Sequence, residues 1–92
     1  TQLQLSPAHP NPFTSWTVIS FALPSPGPVN LVVFDVAGRR VRTLVAGDLP
    51  AGQQRIVWDG SSDGGRTVAP GLYLIQLESS GQRLTRKALC MR

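Results

Sequence analysis

The sequence predicts an all-β fold, a seven-stranded antiparallel sandwich of immunoglobulin-like or fibronectin-like type. Three observations carry that expectation. Apolar and polar residues alternate with period 2 in short segments separated by turn residues. Nine glycines and eight prolines in 92 residues exceed the roughly 12% of average usage, while charged residues, at 15%, fall below the usual quarter or so. Helical spacing of apolar residues is absent from every stretch of about ten residues.

The elements follow in order along the chain. A first short strand, Gln2 to Leu5, ends at Ser6-Pro7, and the proline-rich Pro7 to Pro12 is confined to extended or turning backbone. Thr17 to Leu23 sets Ile19, Phe21 and Leu23 on one face, the core face, and the run Pro24 to Pro28 closes it. Val29 to Asp35 puts Val29, Leu31 and Val33 on one side with apolar Val32 and Phe34 on the other, the pattern of a central strand covered on both faces. Val36-Ala37-Gly38-Arg39 reads as a hairpin turn leading into a strand from Arg40 to Val45, and Gly47 to Gly52 reads as the next connection. Gln53 to Trp58 turns Gln54, Ile56 and Trp58 one way, and the Gly- and Asp-rich Asp59 to Gly65 that follows is a turn. Gly71 to Glu78 points Tyr73, Ile75 and Leu77 inward. Ser79 to Gln82 makes a tight hairpin, and Arg83 to Met91 closes the domain with Leu84, Ala88 and Cys90 inside. The expected core is therefore Trp58 at its centre with Ile19, Phe21, Leu31, Val33, Ile56, Tyr73 and Ile75 around it.

A chain of this length has room for one core, so residues 1–92 are read as a single domain, with residues 1–16 a strand and proline-rich loop leading into the main body. The chain opens on Thr1 without a visible signal peptide, and it is read as a piece of a larger protein. Its longest unbroken apolar run, Leu31 to Phe34, is far below the roughly 20 residues that span a bilayer, so membrane insertion is not expected. The net charge of +4 gathers in Arg39, Arg40 and Arg42 and again in Arg83, Arg86, Lys87 and Arg92. Without aromatic residues interleaved to stack on bases, these groups point away from a nucleic-acid partner and toward protection of strand edges.

Chemistry finds little to build on. One Cys and one His, Cys90 and His9, can make neither an internal disulfide nor a structural zinc site; the first and last strands of a sandwich can be neighbours, which would bring the two together as a dyad, but Cys90 falls at an inward position and reads as an inert core residue. The carboxylates Asp35, Asp48, Asp59 and Asp63 all stand beside turn residues, where they accept backbone N–H bonds. Asp59-x-Ser61-x-Asp63-Gly64 matches the first half of a calcium loop, but the position for a bidentate Glu is Pro70, so Asp59, Ser61 and Asp63 are read as a structural turn before a metal site. Phe13, Trp16 and Phe34 are free of the simplest core assignment and could stack on a sugar ring, although Phe13 and Trp16 are better placed to plug one end of the sandwich. Neither an enzymatic activity nor a cofactor is expected.

One set of motifs stands in fixed order over residues 11–92. Asn11-Pro12-Phe13 is followed by Thr17-x-Ile19-x-Phe21-x-Leu23-Pro24 and by Val29-x-Leu31-x-Val33-Phe34-Asp35-x-x-Gly38-Arg39-x-Val41-x-x-Leu44. Leu49-x-Ala51-Gly52, Ile56-x-Trp58-Asp59-Gly60, Asp63-x-x-Gly65-x-x-Val68, Gly71-x-Tyr73 and the late Lys87 complete it. The series resembles the type A C-terminal sorting domain of type IX secretion cargo, and the same pattern is shared with the immunoglobulin-like domain of flagellar hook-capping proteins. The resemblance implies a non-catalytic C-terminal module that directs a covalently fused N-terminal passenger through the outer membrane to the cell surface or medium. Its implied partners are the outer-membrane secretion machinery, met in the periplasm, and a sortase-like peptidase. By position, Gly71, Tyr73 and Lys87 match the family's motifs, and with Arg83 and Arg86 they form the expected recognition set. The alternative is an accessory spacer or binding module, of carbohydrate-binding or hook-cap type, that stays on the mature protein.

Overall fold

The computed structural model describes residues 2–91, which hold seven strands and no helix. These are β1 (Gln4–Leu5), β2 (Thr17–Leu23), β3 (Gly27–Asp35), β4 (Arg40–Leu49), β5 (Gly52–Trp58), β6 (Gly71–Ser79) and β7 (Gln82–Cys90). They form two antiparallel sheets, one in the order β1-β2-β5 and the other β4-β3-β6-β7. Both sheets feed one buried cluster: Ile19, Phe21 and Leu23 from β2, Val29, Leu31 and Val33 from β3, Trp58 from β5, Tyr73, Ile75 and Leu77 from β6, and Ala88 and Cys90 from β7. The period-2 pattern thus selects the buried face of β2, β3 and β6, because alternate side chains leave a pleated strand on opposite sides.

Trp58 is fully buried, with its ring centroid 5.3 Å from Phe13 and 5.5 Å from Tyr73, the latter nearly edge-on. Its indole N–H donates to Ser61 O at 2.9 Å, so the one polar atom of the ring is satisfied inside the core. The β6–β7 hairpin turns through Ser80 and Gly81, with φ of 52° and 77°. Two successive left-handed residues make the tight connection whose twist matches that of the paired strands.

Several expectations are corrected. The first strand begins at Gln4 rather than Gln2. The strand expected over Arg40 to Val45 runs on to Leu49, and the connection expected from Gly47 to Gly52 shrinks to Pro50 and Ala51. The reason lies on the neighbouring strand, where Gly27, Pro28 and Val29 pair with Leu49, Asp48 and Gly47, so cross-strand pairing overrides the local turn preference. β4 also carries two irregularities against β3, which leave Leu44 and Val41 without direct partners and turn both toward the core. β3 is central, as expected, but Val32 and Phe34 are only half-buried, so it is covered on one face. Ile56 packs against the cluster without being enclosed by it. Leu3, Leu5, Ala8 and Phe13, none of them assigned to the core from sequence, are buried in it.

Candidate functional site

β7 is an edge strand, and half of its open edge is already occupied by the chain's own Asn11-Pro12-Phe13. The Asn11 carboxamide stands in for a peptide group: its Nδ2 donates to Lys87 O at 3.0 Å and its Oδ1 accepts from Leu89 N at 2.9 Å. Phe13 continues the pairing, donating its N–H to Leu89 O at 2.9 Å and accepting at its carbonyl from Met91 N at 2.8 Å. Proline at position 12 has no N–H to leave unpaired. The Phe13 ring then enters the core against Trp58. Strand addition along Lys87 to Met91 is therefore blocked in the folded domain, and only the first half of the β7 edge stays open.

The expected recognition residues fall into three different places. Arg83 and Lys87 project from the outer face of β7, the first paired with Glu78 at 3.0 Å and largely exposed. Arg86 is not part of that face: it lies on the core side of the strand, and its Nε donates to Leu5 O at 2.8 Å, tying β7 to β1 across a groove lined by Leu3, Leu5, Leu84 and Thr85. Gly71 opens β6 with φ of 151° opposite Cys90. Tyr73 is buried, and its hydroxyl donates to Ala69 O, so a receptor on the native surface reaches little of it. Arg92 lies outside the described residues.

The Asp59–Asp63 loop is held by its own backbone and by cations. Asp59 Oδ1 accepts from the Ser61 hydroxyl and from Ser61 N at 3.0 Å, with Arg42 Nη1 3.8 Å away. The Ser61 hydroxyl bond foremost, joined by the backbone N–H and the Arg42 charge, holds the Asp59 carboxyl below the ordinary range. Asp63 reaches across to β4: its N–H donates to Val41 O, its Oδ1 accepts from Thr43 N, both at 2.9 Å, and Arg40 stands 4.0 Å from Oδ2. The three residues that resembled half a calcium loop fasten that loop to β4. Asp35 does the same for the β3–β4 turn, accepting from the N–H groups of Arg39 and Ala37 and from Arg39 Nε. The bond from Arg39 N foremost holds its carboxyl low as well. Asp48, grouped with these carboxylates from sequence, lies inside β4 instead of at a turn.

His9 is exposed and exchanges backbone bonds with Val18, whereas Cys90 is buried in the core. The three aromatics considered for sugar stacking do not converge. Phe13 is enclosed, Trp16 is half exposed instead of plugging an end, and Phe34 lies on the outer face of β3. Sequence reasoning missed two residues that hold the site together: Asn11, read only as part of a motif, and Thr17, fully buried with its hydroxyl donating to Pro10 O at 2.8 Å. A polar residue flanked by prolines just before a buried Phe was the available signal.

Two antiparallel sheets around a central tryptophan, with a tyrosine at the start of the penultimate strand bonded to an upstream carbonyl, define an immunoglobulin-like domain. Within that class the chain belongs to the FlgD Ig-like domain family, which it matches over residues 11–83. It is 40% identical over 68 residues to the basal-body rod modification protein FlgD of Salmonella typhimurium strain LT2 and, to the same extent, to that of Salmonella typhi. The matched segment is 73% of this chain and 29% of each relative, so the chain spans less than a third of their length. Among solved structures it is similar to dimeric latent PorU from Porphyromonas gingivalis, with a TM-score of 0.69 and 19% identity over 97% of this chain and 9% of that one. That likeness is one of fold.

Proposed function

We propose that this domain is a non-catalytic module of a longer polypeptide and serves it as an export and sorting address, read in the periplasm by outer-membrane secretion machinery on the way to the cell surface or medium. The observation that carries the reading is the outer face of β7, where Arg83 and Lys87 stand in solvent together on one strand. Asp35, Asp59 and Asp63 bind backbone, Cys90 is buried, and Arg86 braces β1. A basic strand face offers charge complementarity to a receptor without any cleft. Removal by a sortase-like peptidase after transit belongs to the same proposal. The second reading, an accessory module of flagellar hook-cap type retained on the mature protein, draws on the 40% identity to a basal-body rod modification protein.

The test uses the full-length parent. Arg83→Gln with Lys87→Gln removes both outer charges and only one exposed ion pair, so thermal stability is expected to hold within about 1 kcal/mol. Secretion is expected to fall, with folded passenger retained in the periplasm. Normal secretion of this double variant removes charge from the recognition and leaves backbone or shape. Normal secretion of a parent lacking residues 1–92 ends the sorting reading and favours the accessory module.

A further inference from the structure

Two sheets present four edges, and among the described residues three of them are short, irregular or partly covered. β1 is two residues long. β4 is irregular twice and is tied along its outer side to Asp63 through Val41 O and Thr43 N. β7 carries Asn11 and Phe13. The fourth edge, that of β5, pairs with β2 alone, in unbroken register from Thr17 opposite Trp58 to Leu23 opposite Gly52.

The direction of the free main-chain groups follows from β2. Val18 exchanges both of its bonds with His9, and Ser20 O accepts from Ser6 N, so the even-numbered residues of β2 turn their peptide groups away from β5 and the odd-numbered ones toward it. In this register Gly52, Gln54, Ile56 and Trp58 bond to β2, which leaves the N–H and C=O groups of Gln53, Arg55 and Val57 directed outward. All three side chains are exposed, Val57 to 60%, and Gly52 to Trp58 contains neither proline nor acid. None of the devices that blunt an edge is present except the single cation Arg55. A cation there selects among partners. A second copy pairing antiparallel about the strand centre sets Arg55 against Arg55, and opposed like charges destabilise a ladder. An acidic residue in the same place is attracted.

We infer that the open edge of β5 is a docking site for an extended segment of a partner protein, which adds as a strand with an acidic residue opposite Arg55 and an apolar one beside Val57. The main-chain bonds supply affinity and the Arg55 charge supplies selection. This site is on the opposite sheet from the β7 face and does not depend on the sorting role.

Titration of the labelled 92-residue chain with a capped heptapeptide of alternating valine and threonine around a central glutamate, followed by amide NMR and hydrogen exchange, tests it. The amides of Gln53, Arg55 and Val57 are expected to shift and to gain protection. Arg55→Glu is expected to weaken that peptide roughly fivefold and to favour a lysine-centred one. Val57→Pro removes an outward donor without breaking a β2 bond, a substitution that sheet edges tolerate, so its thermal transition is expected to remain cooperative while binding is lost. Shifts confined to Gln82 through Arg86, equal affinity for glutamate- and lysine-centred peptides, or self-association through β5 in place of peptide binding each overturn the inference.

Discussion

Asn11 closes β7 with a side chain that copies a peptide bond, offering one donor and one acceptor at the spacing of a strand neighbour. Asn11→Ala is expected to cost about 1–2 kcal/mol, since two bonds of roughly 0.5–1.5 kcal/mol each pass partly to water. Urea unfolding measures the loss, and faster exchange at the Leu89 amide shows where it arises. Phe13→Ala is expected to cost more, about 3–5 kcal/mol, because it empties a site packed against Trp58. The carboxylates act at the same scale. Asp35 and Asp59 are both held below their ordinary range in the fold, so the stability they contribute is present above the unfolded carboxylate pKa and is lost as pH falls through the lower folded value. Thermal midpoints are expected to be flat above about pH 5 and to decline below about pH 4, with a smaller decline in Asp35→Asn.

At the scale of elements, the β6–β7 hairpin and β4 behave oppositely. The hairpin is determined locally: Ser80 and Gly81 both adopt the left-handed conformation its two-residue turn requires, and serine is the less suited of the two. Ser80→Asn is expected to raise stability by a few tenths to about 1 kcal/mol, measured by urea unfolding, because asparagine accepts that conformation more readily. An unchanged midpoint would show that the strands, not the turn, set the geometry. β4 is determined by its neighbour. Its Gly47-Asp48 pair looks like a turn in isolation, but β3 supplies a continuous ladder through Gly27, and the two irregularities let Leu44 and Val41 reach the core where strict alternation would have turned one set outward.

Across the whole molecule, Trp58 joins what the topology separates. It lies on the β1-β2-β5 sheet, touches Tyr73 of the other sheet and Phe13 of the N-terminal segment, and bonds the loop at Ser61. Trp58→Ala is expected to cost about 3–5 kcal/mol, a large share of the roughly 5–15 kcal/mol that stabilises a small domain. Coincident loss of both sheets and of Leu89 amide protection in one transition checks that the N-terminal clip and the sheets are a single cooperative unit. A clip that opens well before the sheets would separate them.

The amino-acid sequence by itself determined the all-β class, the count of the strands, the core faces of β2 and β6, the central tryptophan and the tight β6–β7 turn. Each of these rests on information carried within a few residues: a period of 2, a glycine where φ must be positive, a run of prolines. The state of the edges was decided only by tertiary structure. Asn11 meets Leu89 across 78 positions of sequence and Arg86 meets Leu5 across 81, so no local pattern marks either contact. That is why Arg86 reads from sequence as a free surface charge and proves to be a brace, and why β7, read as the open basic edge, is half closed while β5 is the edge left unpaired. Alternation tells which way a side chain points, but the free peptide groups of a strand point along the sheet, and only the neighbours brought there by folding decide whether they are bonded.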